Sequence, residues 1–286
     1  MDVMRTVHLS MGDIDYTDTG GPGRVVLLCH GLLMDASVWD DVVALCPGLR
    51  VVRPTFPFGA HHRPLHPDAD LSFTGQIALL TEFMRELDLS NAVLVVSDLG
   101  YPLLYAARNQ ERLAGLVVLP CEAFDNIPPG LPGRVFALTG RVPGGLWLAA
   151  QALRLPGVAR LPMTFGRMTR RPIPRRLLQR WTEPVVSSQE VRRDLMKYTL
   201  ADDYALLADG MAELRRFQAP ALIVWSRRDR LMPPEHAQRL ADLIPTAQVA
   251  MLDRGGTLLQ LDAPDVIADL ITRFVAQLDT TPTHDS

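Results

Sequence analysis

The stretch Val93-Leu94-Val95-Val96-Ser97-Asp98-Leu99-Gly100-Tyr101 decides the fold because it joins an apolar run to an abrupt turn. The run before Ser97 predicts a buried strand, since strands covered on both faces read as continuous apolar segments. Gly100 then opens the pattern of a helix. The stretch therefore predicts a strand, a sharp turn and a helix, with one residue of the turn held in strained backbone.

The position of the glycine decides which residue occupies the turn. In the pattern Gly-x-nucleophile-x-Gly, small residues flank the nucleophile because the helix passes close to the turn. Gly100 lies two residues after Asp98, whereas the residue at that distance from Ser97 is bulky. The pattern therefore predicts Asp98 at the turn, although Val96 stands in place of the first glycine. The alternative is an ordinary turn in which Asp98 caps the helix.

Two further motifs occur in the expected order along the chain. His30-Gly31 directly follows an apolar strand predicted at residues 25–29, and Ala221-Leu-Ile-Val-Trp-Ser-Arg-Arg-Asp-Arg-Leu-Met-Pro-Pro234 combines a late strand with an acidic loop. Together with the turn, these motifs resemble the α/β-hydrolase superfamily over about residues 25–278. The resemblance implies an α/β-hydrolase fold, with a mostly parallel sheet, helices on both faces and a helical cap.

The resemblance also implies roles for the matching residues. Asp98 stands at the family's nucleophile position and Asp229 at the position of the triad acid. An aspartate nucleophile is nearest to haloalkane dehalogenases and epoxide hydrolases, which attack carbon with a carboxylate and then hydrolyse the ester. The oxyanion hole and its approach are expected to consist of His30, Gly31 and the backbone N–H groups of Leu32 and Leu99.

The catalytic histidine of this pattern is missing. The family keeps it seven residues before the proline that opens the last helix, and counting back from Pro264 gives Thr257. In triad enzymes, loss of the histidine alone has cost about a millionfold in turnover. The sequence therefore predicts a degenerate catalytic triad. His61 and His62 are candidate replacement bases at the carboxyl edge of the sheet, whereas His236 is expected to face solvent.

Specificity residues of the two nearest groups differ as well. Halide binding in the dehalogenases uses a tryptophan after the nucleophile and an N–H-bearing side chain after His-Gly, but those positions hold Leu99 and Leu32. Epoxide hydrolases use two cap tyrosines, for which Tyr198 and Tyr204 are candidates; the alternative is that both are core aromatics. With Tyr101, the two leucines suit a large hydrophobic or aromatic substrate.

The spacing of apolar residues predicts the domain organisation. Strand and helix patterns alternate in residues 1–121 and 213–286, which are predicted to form the core. Residues 122–212 are irregular and contain many prolines, and they are predicted to form the cap. From Asn126 to Thr182 the chain has ten arginines and no Asp or Glu. This pattern predicts a solvated basic face; the alternative is a site for an anionic or phenolic ligand, or for an acidic partner.

The composition favours a globular protein with a small hydrophobic molecule as its partner. The formal net charge of -3 argues against nucleic-acid binding, and 48% hydrophobic residues suffice for a core. Three cysteines in or beside apolar runs predict buried thiols. With no leader pattern and no long apolar segment, the sequence favours a cytoplasmic protein without a membrane span. No metal or other cofactor is predicted, and a homodimer is left open.

Three functions fit these residues. The first is non-hydrolytic tailoring of a bulky hydrophobic or aromatic natural product by epoxide opening, cyclisation or carbon–carbon bond formation, with Asp98 as acid or base. The second is an epoxide hydrolase-like reaction whose base has moved to His61 or His62. The third is a small-molecule binding protein on a hydrolase scaffold. Retention of Asp98, Asp229 and His30 favours an enzyme.

Overall fold

The structure, a computed structural model, describes residues 3–201 and 204–280. Within those ranges the strands form one eight-stranded sheet in the order β1-β2-β4-β3-β5-β6-β7-β8. The strands are Val3–Leu9 (β1), Gly12–Asp18 (β2), Val25–Leu28 (β3), Arg50–Pro54 (β4), Ala92–Asp98 (β5), Leu113–Cys121 (β6), Ala221–Ser226 (β7) and Ala247–Leu252 (β8). Strands β3 to β8 are parallel, and the hairpin β1–β2 adds two antiparallel strands at one edge.

Helices connect the parallel strands and cover both faces of the sheet. They are Asp40–Ala44 (α1), Phe73–Glu86 (α2), Tyr101–Arg108 (α3), Gly130–Thr139 (α4), Gly145–Leu153 (α5), Arg175–Ser187 (α6), Gln189–Leu200 (α7), Tyr204–Gly210 (α8), Glu235–Leu243 (α9), Leu259–Asp262 (α10) and Pro264–Thr280 (α11). The predicted fold, a mostly parallel sheet between helical layers, is confirmed.

Strand β5 lies in the middle of the sheet between β3 and β6. All its side chains are buried. They alternate between the two faces, so that Leu94 and Val96 pack into one hydrophobic core while Val93 and Val95 pack into the other. Burial on both faces explains why the strand is a continuous apolar run, and it fixes the end of β5, with Asp98, at the carboxyl edge of the sheet.

The hairpin β1–β2 is absent from the sequence prediction, which begins the sheet at Val25. Strand β1 is an edge strand and is mostly exposed. Its residues therefore mix polar and apolar types without a clear alternation, and no apolar run marks the strand. Polar side chains hold the hairpin in place: Thr6 Oγ1 and Arg63 Nε each donate to Asp15 Oδ1, at 2.7 Å.

Helices α4 to α8, which we call the cap helices, lie between β6 and β7 in the chain. Helix α6 is fixed to the loop after β3, where Arg180 Nε donates to Asp35 Oδ2 at 2.6 Å. Helix α7 is fixed to the loop after β4, where the backbone N–H of Leu65 donates to Asp194 Oδ2 at 2.8 Å. These bonds hold part of the cap over the carboxyl edge of the sheet. The boundaries of the cap, 122 and 212, stay a prediction.

Asp35 is the centre of the contact between α6 and the core. Its Oδ1 accepts from the backbone N–H of Ser37 at 2.9 Å and from Trp181 Nε1 at 3.1 Å. Burial alone would raise the pKa of the Asp35 carboxyl, but hydrogen bonds from Ser37 and Arg180 hold it below its ordinary value. The buried carboxylate is thus charged and fully used as an acceptor.

Replacing Asp35 with alanine is expected to lower the free energy of unfolding by about 3 kcal/mol, because it leaves buried donors without their charged acceptor. Urea denaturation measures the change. Asp41→Ala is the matched control, since Asp41 is exposed only a few residues away, and we expect a change within about 0.5 kcal/mol there. Equal effects of the two substitutions would contradict the anchoring role of Asp35.

The three cysteines, Cys29, Cys46 and Cys121, are buried free thiols, as the sequence predicted. In the part of the chain that the structure describes, no helix has the length and apolar character needed to cross a membrane. Over the same residues, His, Cys, Asp and Glu form no group of three or more that could hold a metal ion.

Candidate active site

Asp98 occupies the sharp turn between β5 and α3. Its φ is 67°, in the left-handed region, and the backbone N–H of Leu99 donates to the carbonyl of Ser97 at 2.8 Å, which closes a three-residue turn around it. Such backbone costs about 1 to 3 kcal/mol in a residue with a side chain. A Cβ on Gly100 would lie 2.5 Å from the carbonyl oxygen of Glu122. The strain lies at Asp98, and the glycine two residues later is needed for close packing.

The loop after β3 approaches the Asp98 carboxylate closely. The backbone N–H of Leu32 donates to Asp98 Oδ2 at 2.9 Å. A Cβ on Gly31 would lie 2.2 Å from the same oxygen, so the approach requires glycine. The prediction paired this donor with the N–H of Leu99, but in the structure that N–H is bonded to Ser97. Of the two predicted oxyanion-hole donors, the N–H of Leu32 faces the carboxylate and that of Leu99 does not.

His30 is a positioning residue. The backbone N–H of Phe56 donates to its Nε2 at 2.7 Å, so the imidazole proton is on Nδ1, which lies 2.8 Å from the carbonyl oxygen of Gly31. Burial lowers the pKa of His30 to about 4, so the ring is neutral near neutral pH. His30 joins the loops after β3 and β4, and it thereby fixes the N–H of Leu32 beside Asp98.

Thr257 lies against the predicted triad acid. Its Oγ1 donates to Asp229 Oδ1 at 2.8 Å. The backbone N–H groups of Leu231 and Met232 donate to the same oxygen, at 2.8 and 3.0 Å. Within the described residues, Asp229 Oδ2 is buried and has no hydrogen-bond partner. Burial raises the pKa of Asp229 to about 6. Thr257 therefore lies beside the acid. A residue at the histidine position of the family pattern, as Thr257 is predicted to be, would have to lie there.

A cap segment closes the space in front of Thr257. The backbone N–H of Leu258 donates to the carbonyl of Met168 at 2.9 Å, and the N–H groups of Arg170 and Arg171 donate to the Asp262 carboxylate. Met168 lines a cavity that lies over Asp98, whereas Thr257 is fully buried and does not line it. Thr257 therefore contacts the acid behind it and does not reach the cavity.

A cavity of about 270 Å³ lies over Asp98, between the sheet edge and the cap helices. Most of its lining is aliphatic or aromatic, and the described residues around it include no Lys, Arg or His. The basic cap thus does not make this cavity a site for an anion. The lining consists of Leu32, Leu33, Asp98, Leu99, Glu122, Pro128, Pro129, Pro132, Gly133, Val135, Phe136, Ala137, Thr139, Ala149, Ala152, Leu153, Val158, Met163, Thr164, Phe165, Met168, Tyr198, Thr199, Tyr204 and Leu231.

Glu122 is a candidate site residue that the sequence analysis missed. It directly follows β6, and its backbone N–H donates to the carbonyl of Asp98 at 2.9 Å. Its side chain is buried in the same cavity, where Oε2 accepts from the N–H of Gly100 at 3.4 Å. Burial, and then the charge of Asp98, raise the pKa of Glu122 to about 8. An acidic residue at the carboxyl end of the strand beside β5 is the sequence signal that could have identified it.

The two cavity carboxyl groups have different pKa values. Burial raises the pKa of Asp98 to about 6, the hydrogen bond from Leu32 opposes this rise, and the charge of Asp229 adds to it. Near neutral pH, Asp98 is therefore mostly ionised and Glu122 mostly protonated. A base and an acid in one apolar cavity are the arrangement that proton-transfer chemistry needs.

The predicted replacement bases lie elsewhere. His61 is buried with its Nε2 3.4 Å from Asp194 Oδ2, and it lines a small surface depression instead of the cavity over Asp98. His62 is exposed. The expectation that His236 faces solvent is wrong: the residue is 2% exposed, with its ring 5.1 Å from that of Phe124. The structure thus gives no support to a base at His61 or His62.

The predicted tyrosines divide between the cavity and the core. Tyr198 and Tyr204 line the cavity. Burial raises the pKa of Tyr198 well above its ordinary value, so its hydroxyl stays protonated. Tyr101 is fully buried and packs on Phe58, with ring centroids 5.6 Å apart, outside the cavity lining. Tyr101 therefore shapes the pocket from behind, and Tyr198 and Tyr204 can contact a ligand.

Comparisons with known proteins agree with this geometry. The model of the Alpha/beta hydrolase family matches residues 26–270, more than half of the chain, and the chain therefore belongs to that family. The monoacylglycerol lipase abhd6-B of Xenopus laevis is 24% identical over 288 residues, which cover 94% of this chain and 81% of the lipase. A haloalkane dehalogenase of Mesorhizobium japonicum is 22% identical over 289 residues, which cover 93% of this chain and 88% of the dehalogenase.

Solved structures include haloalkane dehalogenases with the same fold. The dehalogenase DbeA from Bradyrhizobium elkani matches with a TM-score of 0.77 and 19% identity, over 98% of this chain and 99% of that chain. The resemblance to the hydrolase superfamily, with dehalogenase-like neighbours, is thus confirmed. At this level of identity the similarity establishes the fold, and the chemical role of Asp98 stays a prediction.

Proposed function

We propose that the chain binds a bulky apolar small molecule in the cavity and converts it without hydrolysis, with Asp98 as base and Glu122 as acid. The observation that carries this proposal is the pair of buried carboxyl groups in one cavity that has no histidine among its described lining residues. A lipase-type or dehalogenase-type cycle needs an imidazole to activate water. A proton transfer between two carboxyl groups needs none.

The proton balance follows from the two protonation states. Asp98, as carboxylate, takes a proton from a hydroxyl or carbon acid of the substrate, and the electron pair left there forms the new bond. Glu122, as carboxylic acid, gives its proton to the oxygen that accepts the electrons of the breaking bond. In an epoxide opening, this oxygen is the epoxide oxygen. The reaction leaves Asp98 protonated and Glu122 ionised, and transfer of that proton from Asp98 to Glu122, directly or by exchange with solvent, resets the pair.

The rest of the cavity supports this role. Tyr198 keeps its proton and can donate a hydrogen bond to a substrate oxygen. The aliphatic lining excludes water, which would otherwise compete as a nucleophile. The names of the Xenopus and Mesorhizobium relatives refer to a monoacylglycerol and a haloalkane, and both kinds of compound have apolar chains. An apolar substrate fits the same kind of cavity here.

The proposal predicts that the protein hydrolyses simple substrates no faster than background. Incubation with p-nitrophenyl butyrate, 1-iodobutane and styrene oxide, followed by chromatography of the products, measures this. The reason is that Thr257 cannot accept a proton from water as imidazole does. Steady-state hydrolysis of any of these compounds would contradict the proposal. If His62→Ala or His61→Ala then abolished that hydrolysis without lowering Tm, the relocated-base hypothesis would replace it.

A further inference from the structure

The outer side of helix α4 exposes large apolar side chains. Leu131, Val135 and Leu138 are 56%, 40% and 57% exposed, and Val142, just after the helix, is 50% exposed. Spacings of four and three residues place the first three on one face of the helix. Apolar residues scattered singly over a surface need no explanation, but a continuous row along a helix does.

Helix α5 continues this surface. Leu146, Ala150 and Leu153 are buried, whereas Trp147 and Leu148 are 40% and 59% exposed. The two helices are in contact. We call this surface the apolar cap face; it consists of Leu131, Val135, Leu138, Val142, Trp147 and Leu148.

The charged side chains of the chain segment that contains the apolar cap face, from Asn126 to Thr182, are all arginines. Arg134, Arg141 and Arg160 are exposed, and Arg154 pairs with Glu183. From Asn126 to Thr182 the sequence has no Asp or Glu. Within α4, α5 and the loop between them, exposed leucine, valine and tryptophan occur together with exposed arginine and no acidic residue. This is the composition of helices that lie in the surface of an anionic membrane.

The apolar cap face is also the outer side of the cavity. Val135 belongs to the face and lines the cavity, and Pro132 and Phe136 of α4 and Ala149 of α5 line it too. A surface that holds this side of the cap against a bilayer brings the cavity next to the acyl chains. An apolar ligand then has a short path from lipid to cavity that avoids water.

We propose that the apolar cap face docks the protein on the surface of an anionic lipid bilayer, with α4 and α5 lying in the plane of the interface. A second copy of the chain is a weaker candidate for this face. In a two-fold dimer each copy presents the same patch, so that Arg134 and Arg141 of one copy would approach the arginines of the other. Anionic lipid headgroups complement the same charges.

Trp147 offers a direct test of docking. The other three tryptophans, Trp39, Trp181 and Trp225, are fully buried, so a change in emission on adding vesicles reports on Trp147. We expect a blue shift with vesicles of phosphatidylcholine and phosphatidylglycerol, and none with phosphatidylcholine alone. The shift is expected to be lost in Trp147→Phe and to weaken with added salt.

Co-sedimentation with the same vesicles measures the affinity. Leu148→Asp, and Arg134→Gln combined with Arg141→Gln, are each expected to weaken binding roughly tenfold or more. Leu45→Asp is the matched control, because Leu45 is 52% exposed and lies outside the cap; it is expected to bind as the unaltered protein does. Asp98→Asn is also expected to bind fully, so failure of the proposed chemistry would not affect this result.

Two outcomes would overturn the proposal. One is that the unaltered protein does not bind anionic vesicles, or binds them equally well after Leu148→Asp. The other is that the protein forms a concentration-dependent dimer which Leu148→Asp dissociates, while no vesicle binding occurs. The apolar cap face would then be a subunit interface.

Discussion

Replacing Asp98 with asparagine is expected to abolish conversion of an apolar substrate while its binding stays nearly unchanged. Asparagine keeps the size of the side chain and can still occupy the cavity floor, but it neither accepts a proton nor attacks carbon. Loss of a positioned base costs about a hundredfold to ten-thousandfold in rate. The measurement is chromatography of products from epoxide-bearing and polycyclic substrates, together with intact-protein mass spectrometry and ligand binding.

Ser97→Ala is the matched control for this prediction. Ser97 is the neighbouring buried side chain; its Oγ accepts from Gln260 Nε2 at 3.1 Å, and it does not line the cavity. We expect this variant to retain conversion, because the residue at the strained turn is Asp98. Loss of conversion in Ser97→Ala with retention in Asp98→Asn would show that the reacting side chain is Ser97 and not Asp98.

The mass spectra separate three roles of Asp98. Free rearranged product without an adduct, lost in Asp98→Asn, supports acid–base work. A stoichiometric adduct on the unaltered protein alone means that the carboxylate attacks carbon and that the ester stays, since Thr257 cannot activate water to release it. Equal binding by both proteins without conversion would make the chain a binding protein on a hydrolase scaffold.

The part of the site that lies within one short segment was predictable from sequence. The strand β5, the strained residue Asp98 and the need for Gly100 all depend on the order of residues across a single turn. Counting back from Pro264 likewise places Thr257 at the histidine position of the family pattern, whereas its hydrogen bond to Asp229 is not predictable in this way. The positions of these residues follow from their order along the chain, without knowledge of which distant segments pack against them.

The missed parts depend on contacts between distant segments. Glu122 is at the site because β6 pairs with β5, which sets Cys121 opposite Asp98, and the loop sequence alone does not indicate a catalytic role for Glu122. His61 follows the expected strand, yet its side chain turns to Asp194, 133 positions later in the chain. His236 is buried because Phe124 of another loop covers it. Spacing in a sequence does not reveal which side of a loop another segment will cover.

Glu122→Gln is expected to lower the rate by about a hundredfold to ten-thousandfold and to remove the alkaline limb of the pH profile. In the unaltered protein the rate should rise through a pH of about 6 as Asp98 ionises and fall through about 8 as Glu122 loses its proton. Glutamine donates hydrogen bonds but does not ionise. The rate of the variant should therefore not fall at high pH. Steady-state rates between these limits measure both effects.

The pH dependence of the free energy of unfolding reports on the protonation of Glu122 without any substrate. The folded-state pKa of Glu122 is about 8 against an ordinary value of 4.5, so between these values the folded protein holds a proton that the unfolded chain has lost. The free energy of unfolding therefore falls as pH rises through this range. Asp98 and Asp229 contribute to this decline only up to a pH of about 6. Buried histidines such as His30 oppose it below their ordinary pKa of 6.5, and the buried cysteines add to it only near and above their ordinary pKa of 9.0. The part of the decline between these two pH values is therefore assigned to Glu122. It should disappear in Glu122→Gln and persist in Glu111→Gln, which alters an exposed residue just before the other end of β6. If denaturation curves showed the same decline in both variants, Glu122 would be ionised in the folded protein at neutral pH, and a proton donor would have to be sought elsewhere in the cavity.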